Sequence, residues 1–279
     1  MTKSPPDDAP QQARTPEAGG AGKMVFGWRF FKRDLFANIV IVAILIFGME
    51  AWSWYAPPYI MPPPERTGVE IVRILSEDVY QMLLTIFRLF VAIVFALVIG
   101  SALGVLMGMI KWLQPYLKSL IIIDTGVPAL SWMLFAIFWF KDEEARLFFI
   151  LAVILLPFYA LNVYDGIQNL SRDLIEAVET FRPTKWQIFR LLILPHIVPY
   201  ILMTTKSIIG YATRMTVFAE TISASSGMGA QMQLAQDNFN MSGVIGWTIL
   251  LVILNLSVQA LVTFSERKLL KWRPEVSVR

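Results

Sequence analysis

The sequence predicts an all-α integral membrane protein with six transmembrane helices. Of its 279 residues, 56% are hydrophobic and only 16% are charged, whereas ordinary soluble domains carry about 25% charged residues. The charged residues are clustered, and the apolar stretches between them are long enough to cross a bilayer, which takes about 20 residues of helix. This composition argues against a soluble enzyme. The six predicted spans are residues 36–56, 84–109, 117–140, 146–166, 192–216 and 243–265.

The positive residues predict that both ends of the chain lie in the cytoplasm. Cytoplasmic segments of membrane proteins carry an excess of Lys and Arg. With the N-terminus inside, 17 of the 24 Lys and Arg residues fall on the cytoplasmic side. Residues 1–30 are polar at first and rich in Pro, Ala and Gly, and they are predicted to form a disordered cytoplasmic tail. Residues 31–279 then form one transmembrane domain.

Composition alone excludes several kinds of chemistry. The chain has no cysteine and one histidine, His196, which rules out disulfides, a cysteine nucleophile and a multi-histidine metal site within one chain. A net charge of +3 gives no indication of nucleic-acid binding. The sequence G-x4-G-K-[ST] of a phosphate-binding loop does not occur. We therefore expect no catalytic residue, no metal and no cofactor in this chain.

Two segments between the spans are predicted to lie at the outer side. Residues 57–83 begin with a proline-rich run, and apolar residues at helical spacing follow it, which indicates a short amphipathic helix on the outer surface. Residues 220–242 are too polar to span lipid, and they contain two glycines. They are predicted to form a re-entrant or surface loop.

The most informative segment is the cytoplasmic loop 171–190. Pro183 interrupts it and is predicted to start a new helix. The spacing of apolar residues before Pro183 predicts a short helix with one apolar face, formed by Leu174, Ile175, Val178 and Phe181. Because this face projects into the cytosol, it needs to be covered either by the membrane surface or by another protein.

Small residues in the second predicted span indicate close helix packing. Gly100, Gly104 and Gly108 recur every four residues and therefore share one face of a helix. Small residues let another helix approach closely within a membrane. The three glycines are predicted to be packing residues.

Charged residues inside the predicted spans are candidates for function, because ionisable groups at bilayer depth are costly. Asp124 and Lys206 have similar depths and opposite signs, and they are predicted either to pair or to reach water in a central cavity. Arg214 lies in the outer half of its span. It either faces a polar path, where its planar guanidinium would bind an anion, or extends outward or pairs with Glu220.

Four stretches of the chain resemble one family of transporters. The residues from Glu176-Ala177 to Leu194-Pro195, in the pattern E-A-x3-F-x4-W-Q-x-F-x4-L-P, resemble the cytoplasmic coupling loop of binding-protein-dependent ABC importer permeases. Residues 127–140, 219–232 and 266–274 are similar to the nitrate, taurine and aliphatic-sulfonate branch of that family. The resemblance covers roughly residues 60–274.

The resemblance implies a permease subunit of the type I importer fold in the bacterial inner membrane. Its expected partners are a second copy of the chain in a homodimer, two cytoplasmic ATPase subunits, and a periplasmic or lipid-anchored substrate-binding protein. ATP and Mg²⁺ would be bound by the ATPase subunits, and a small anionic solute would cross along the dimer axis.

The resemblance also implies roles for individual residues. The coupling loop would contact the ATPase through Glu176, Ala177, Val178, Phe181, Arg182 and Trp186. The candidates for the substrate path are Ser131, Trp132, Lys206, Arg214 and Glu220.

The coupling loop departs from the family pattern at one position. Many members have glycine where this chain has Arg182, because the first loop helix ends there with a positive φ. Pro183 restricts the residue before it, so we expect the turn at Arg182 to differ in detail. Arg182 is also expected to contact an acidic residue of the ATPase.

Other functions remain open from the sequence. The same machinery could carry a thiamine precursor, a pyrimidine or an aromatic carboxylate. An ion-coupled secondary transporter would need intramembrane carboxylates, and only Asp124 qualifies clearly. A membrane-embedded enzyme is disfavoured because no catalytic residues cluster in the sequence.

Overall fold

The structure of the protein is a computed structural model that describes residues 22–269, and all regular structure in this part of the chain is helical. The first helix, α1, runs from Gly22 to Ser53. Residues 1–21 of the predicted disordered tail lie outside the described residues. Residues 22–30, which the sequence assigns to the tail, are instead helical as the first part of α1.

Eleven helices and one π-helical turn make up the described chain. The chain divides into two compact units, the first containing α1 and the second beginning at Ala56. The helices after α1 are α2 (Pro64–Glu77), α3 (Val79–Met109), α4 (Gln114–Gly126), α5 (Ala129–Trp139), α6 (Glu143–Gln168), α7 (Arg172–Glu179), α8 (Lys185–Ile188), α9 (Leu194–Ser223), α10 (Met228–Asp237) and α11 (Met241–Leu269), with a π-helical turn at Phe189–Ile193 before α9.

Four helical segments are long and apolar enough to cross a membrane. They are Val79–Met109, Glu143–Gln168, Lys185–Ser223 and Met241–Ser265. The apolar part of α1, Ala37–Ser53, is shorter. Large apolar side chains are exposed along these helices, as expected for surfaces that face lipid.

The predicted third span is not one continuous helix. It consists of α4 and α5, whose axes differ by 96°. The break falls at Val127 and Pro128, because Pro128 has no backbone N–H to donate and disfavours the helical conformation of the residue before it.

The core of the second unit is a parallel pair of helices, α3 and α6. A Cβ atom added at Gly100 would lie 2.7 Å from the carbonyl oxygen of Leu156, and one at Gly104 would lie 2.6 Å from that of Ala160. At Gly108 it would meet Ile167. All three predicted packing glycines therefore face α6 at close range.

The parallel arrangement of α3 and α6 indicates the direction in which the broken pair runs. Residue numbers rise together along the α3–α6 contact, so both helices start at the same end of the unit. The chain leaves α3 at the opposite end and must return before α6 begins. The α4–α5 pair therefore carries the chain back along the unit, and its two helices are apolar enough for a span only when they are taken together. A fifth crossing by this pair stays a prediction. The sixth span, assigned to α1, stays a prediction.

Helix α9 runs back along α6 and carries the chain from the loop 171–190 to the other end. His196 Nε2 lies 3.0 Å from the carbonyl oxygen of Gly166, and the hydroxyls of Tyr159 and Thr205 are 2.8 Å apart. These contacts pair early residues of α9 with late residues of α6, so the two helices are antiparallel.

The two predicted outer segments are both helical. Helix α2 coincides with the predicted amphipathic helix, and its Ile74 is buried against Trp247 and Leu250 of α11. Residues 220–242, predicted as a re-entrant or surface loop, are mostly helical, because α9 continues to Ser223 and α10 begins at Met228 after a gap of four residues. Helix α10 packs between α9 and α11, which buries the start of this polar segment.

Candidate functional sites

The predicted coupling loop presents two aromatic side chains to solvent. Phe181, just after α7, is 86% exposed, and Trp186, on α8, is 65% exposed. Glu176 and Ala177 are exposed on α7, while Val178 is half-buried. The side chains of Leu174 and Ile175 lie outside the described part of the chain. The loop thus offers an aromatic surface at the end of α6.

The backbone of the loop differs from the expectation at one point, the start of the helix after Pro183. Arg182 has φ of 48°, a left-handed conformation like the one glycine would supply. Arg182 adopts this conformation although Pro183 restricts the residue before it. The expected difference in detail from the family's turn stays a prediction. Pro183 does not start the next helix. Thr184 caps the next helix instead: its hydroxyl accepts from the Gln187 backbone N–H, and the Gln187 side chain accepts from the Thr184 backbone N–H.

A cavity of about 900 Å³ lies behind the coupling loop. Val178, Lys185 and Ile188 line it on the loop side. Gly108 and Ile167, near the ends of α3 and α6, line it on the other side. The loop is therefore separated from the ends of the helices over part of its length.

The break between α4 and α5 carries two of the predicted path residues. A cavity of about 120 Å³ opens there, lined by Asp124, Trp132 and Tyr211 among others. The indole of Trp132 lies near the Asp124 carboxylate, but its buried Nε1 reaches hydrogen-bond geometry with no described group. The neighbouring Ser131 is half-buried in the first turn of α5. Trp132 also packs against other rings, those of Phe135, Trp139 and Phe149.

Arg214 and Lys206 are exposed on different parts of α9. The Arg214 Nε donates to the carbonyl oxygen of Gly210 at 3.1 Å, and its charge lies close enough to Tyr211 to interact with it. Lys206 lies one helical turn before Gly210, where an added Cβ atom would lie 3.2 Å from Gln259 Nε2 of α11. Tyr211 is the α9 residue that lines the Asp124 cavity. The Asp124–Lys206 pair stays a prediction.

Glu220 occupies a different setting from the one expected of a path residue. Its carboxylate has no exposed surface and accepts from Arg88 Nη1 at 3.0 Å, from the Thr85 hydroxyl at 2.9 Å and from the Gly229 backbone N–H at 3.0 Å. The alternative pairing with Arg214 is therefore wrong, because Arg88 already supplies the positive charge. Burial also removes Glu220 from the candidate path in this structure.

Arg88 is the functional candidate that sequence analysis missed. It is buried on α3 and joins α9, through Glu220, to the start of α6, where its side chain donates to Glu143 and Glu144. It also donates to the carbonyl oxygen of Ser226 at 2.8 Å. Its position inside the predicted span 84–109 was the available signal, since a charge at that depth needs a partner.

No group of metal-binding side chains occurs among the residues that the structure describes. Of the sites predicted from the sequence, three stay candidates: the aromatic surface of the coupling loop, the cavity at the α4–α5 break, and the exposed Arg214.

Comparison with known proteins gives a consistent result. Residues 96–271 match the family model described as "Binding-protein-dependent transport system inner membrane component". A putative aliphatic sulfonates transport permease protein of Escherichia coli (strain K12) is 30% identical over 165 residues, which cover 59% of this chain and 62% of that protein. The taurine transport system permease protein of the same strain is 24% identical over 264 residues, covering 89% of this chain and 94% of that protein.

Among solved structures, an inward-facing form of the MetNI methionine ABC transporter is similar to this chain, with a TM-score of 0.62 and 20% sequence identity. The match covers 71% of this chain and 97% of that one. At this level of identity it establishes the fold.

Proposed function

The chain belongs to the family of binding-protein-dependent transport system inner membrane components, and on this premise we propose that it forms the translocation path for a small sulfonate-like anion. As a member of this family it is a multi-pass transport subunit of the bacterial inner membrane and not an enzyme. The substrate class and the partners are the proposed part.

The energy for transport would come from separate ATPase subunits, which bind ATP and Mg²⁺. The observation that carries this proposal is the exposed aromatic pair Phe181 and Trp186 at the end of the α6–α9 hairpin. Large aromatic side chains are the usual centres of protein interfaces. Docking of an ATPase on each loop of a homodimer would cover both residues.

A sulfonate-like substrate is supported by two independent observations. Relatives of the chain are named as sulfonate and taurine permeases. Arg214 presents an exposed guanidinium, and guanidinium groups bind planar or tetrahedral oxyanions with two donors at once.

The proposed mechanism is alternating access. The coupling loop would contact the ATPase differently in its open and closed states, and only such a difference can shift the equilibrium of the spans. Helix α9 continues from the loop without interruption to Ser223. Movement of the coupling loop would therefore be transmitted along α9 to the opposite end of the unit.

The direct test is reconstitution in liposomes with the ATPase and the substrate-binding protein. We expect uptake of a radiolabelled small sulfonate to require ATP and both partners. Uptake by this chain alone, without nucleotide, would refute the proposal and favour the secondary transporter.

The contact itself is tested by Trp186→Ala combined with Phe181→Ala. We expect this double variant to lose copurification with the ATPase, because it removes two apolar side chains from the proposed interface. Trp54→Ala is the matched control, since Trp54 is 76% exposed and lies outside the loop. Equal retention of the ATPase by both variants would contradict docking at this loop.

Arg182 allows charge and backbone to be tested separately. Arg182→Gly preserves the left-handed turn and removes the charge, whereas Arg182→Glu reverses the charge. If Arg182 contacts an acidic residue of the ATPase, Arg182→Glu should weaken assembly more than Arg182→Gly. Unchanged assembly and ATPase coupling in Arg182→Glu would rule out that contact.

A further inference from the structure

Phe239 stands where a glycine is expected. The backbone N–H of Asn240 donates to the carbonyl oxygen of Ala235 at 2.8 Å, and that of Phe239 donates to Gln236 at 3.0 Å. This pair of bonds is the Schellman motif, which ends a helix with a left-handed residue. Phe239 is that residue, with φ of 55°.

The fold gains little from a phenylalanine at this position. A bulky residue with positive φ is a conformational outlier, and glycine adopts the same angles freely. The Phe239 side chain is 78% exposed, so burial compensates little of the strain. A strained residue whose side chain points to solvent suggests a role in binding.

The surroundings of Phe239 define what could bind. A cavity of about 550 Å³ lies beside it, and Tyr59, Asp237 and Met241 are among the residues that line it. One oxygen of the Asp237 carboxylate accepts from Gln233 Nε2 at 2.9 Å. Two aromatic rings next to a carboxylate suit a Lys or Arg side chain, whose stem packs on apolar surface while its charge meets the rings and the acid.

The cavity lies at the end of the unit opposite the coupling loop. Helix α9 starts next to that loop and ends at Ser223, and α10 and the start of α11, which carry Phe239 and Met241, follow directly. If the coupling loop faces the ATPase, this end faces outward.

We propose that the cavity formed by Tyr59, Asp237 and Phe239 receives a basic side chain of the substrate-binding protein. The inference rests on the proposed function, because it needs an importer with such a partner. The inference adds where on this chain the contact lies and how it is made: a cationic side chain inserts between the rings of Tyr59 and Phe239, beside the Asp237 carboxylate.

The decisive variant is Phe239→Gly in the complete transporter, reconstituted in nanodiscs. The probe is the substrate-binding protein of the transporter, titrated in the loaded form, and the measured quantity is the rate of ATP hydrolysis by the complex. We expect the half-saturating concentration to rise at least about 10-fold, as for truncation of a central interface residue. The melting temperature should stay the same or rise, because glycine relieves the left-handed strain.

Two further variants control the interpretation. Phe87→Ala removes another exposed phenylalanine, 64% exposed on α3 near the same end, and it should change the half-saturating concentration less than twofold. Asp237→Asn should weaken binding and flatten its dependence on salt, since a charge pair is lost.

The outcomes separate the two proposals. Absence of any stimulation of the wild-type complex would remove the proposed function itself. Normal stimulation of wild type with an unchanged half-saturating concentration in Phe239→Gly would overturn only the docking site, and so would an equal loss in Phe87→Ala.

Discussion

Arg88 shows how one buried charge can organise an apolar bundle. Its guanidinium on α3 forms ion pairs with Glu143 at the start of α6 and with Glu220 near the end of α9. It also donates a hydrogen bond to the carbonyl oxygen of Ser226, just after α9. A buried ion pair of this kind adds little net stability relative to apolar residues, yet removing one partner leaves the other charge uncompensated.

We expect Arg88→Met to destabilise the protein by about 3 kcal/mol, because Glu220 would remain as an unpaired buried carboxylate. For a protein of this size that corresponds to a fall of roughly 10 °C in melting temperature. Thermal unfolding of the detergent-purified chain measures it. Adding Glu220→Gln should recover part of the loss, and a double variant that is less stable than Arg88→Met would contradict the account.

Arg73 provides the matched exposed arginine. It donates to Glu70 at 2.7 Å on α2, and this hydrogen bond raises the pKa of Arg73 above its ordinary value. Exposed ion pairs contribute at most about 1 kcal/mol. Arg73→Met should therefore leave the melting temperature nearly unchanged.

Arg214 is the residue on which anion selection is expected to depend. Arg214→Ala should abolish uptake of the labelled sulfonate while the ATPase still copurifies, because the side chain is exposed and its polar contact is to Gly210 of its own helix. Arg66→Ala, an exposed arginine on α2, is the control. Normal uptake by Arg214→Ala would remove Arg214 from the transport path.

At the level of elements, α3 and α6 depend on glycine for their close approach. Gly104→Ala should cost about 1–3 kcal/mol, since the new Cβ would lie 2.6 Å from the Ala160 carbonyl oxygen and 2.8 Å from the Val163 Cβ. The melting temperature of the purified chain reports this change.

The control for that substitution lies in α2. No atom lies within 4 Å of a Cβ added at Gly68, inside this helix, so Gly68→Ala should stabilise it by about 0.5–1 kcal/mol. Opposite signs for the two substitutions would establish that packing decides the effect. A stabilising Gly104→Ala would contradict the close α3–α6 contact.

For the whole molecule, the parallel α3 and α6 fix the course of the chain. A reporter inserted after Trp112 should lie in the cytoplasm, and one inserted after Lys141 should lie outside, because the α4–α5 pair carries the chain back along the unit between them. Alkaline phosphatase is active only outside and a fluorescent protein only inside, so the two reporters measure this directly. The same location for both insertions would mean that the pair turns back within the membrane.

The sequence was sufficient to predict most of the helices and the position of the coupling loop. Gaps between charged residues follow directly from the requirement for apolar spans, and the loop carries a motif that extends to Leu194-Pro195. The break at Val127-Pro128 was missed because hydropathy takes no account of the backbone N–H that proline lacks.

The Arg88 network could not be predicted from local patterns. Glu144 lies 56 residues from Arg88 along the chain, and Glu220 lies 132 residues away. Only the folded arrangement of α3, α6 and α9 brings these three residues together. The left-handed conformation of Arg182 was likewise not predicted, because the proline rule describes only the restriction that Pro183 places on it.

A cavity lies behind part of the coupling loop. It has a volume of about 900 Å³ and separates Val178 and Lys185 from the ends of α3 and α6, whereas Ile188 packs against the cluster that contains Ile167. We expect a small apolar compound bound in this cavity to restrict movement of the coupling loop. ATP hydrolysis by the ATPase subunits should then continue without transport, which would make the cavity a target for uncoupling inhibitors.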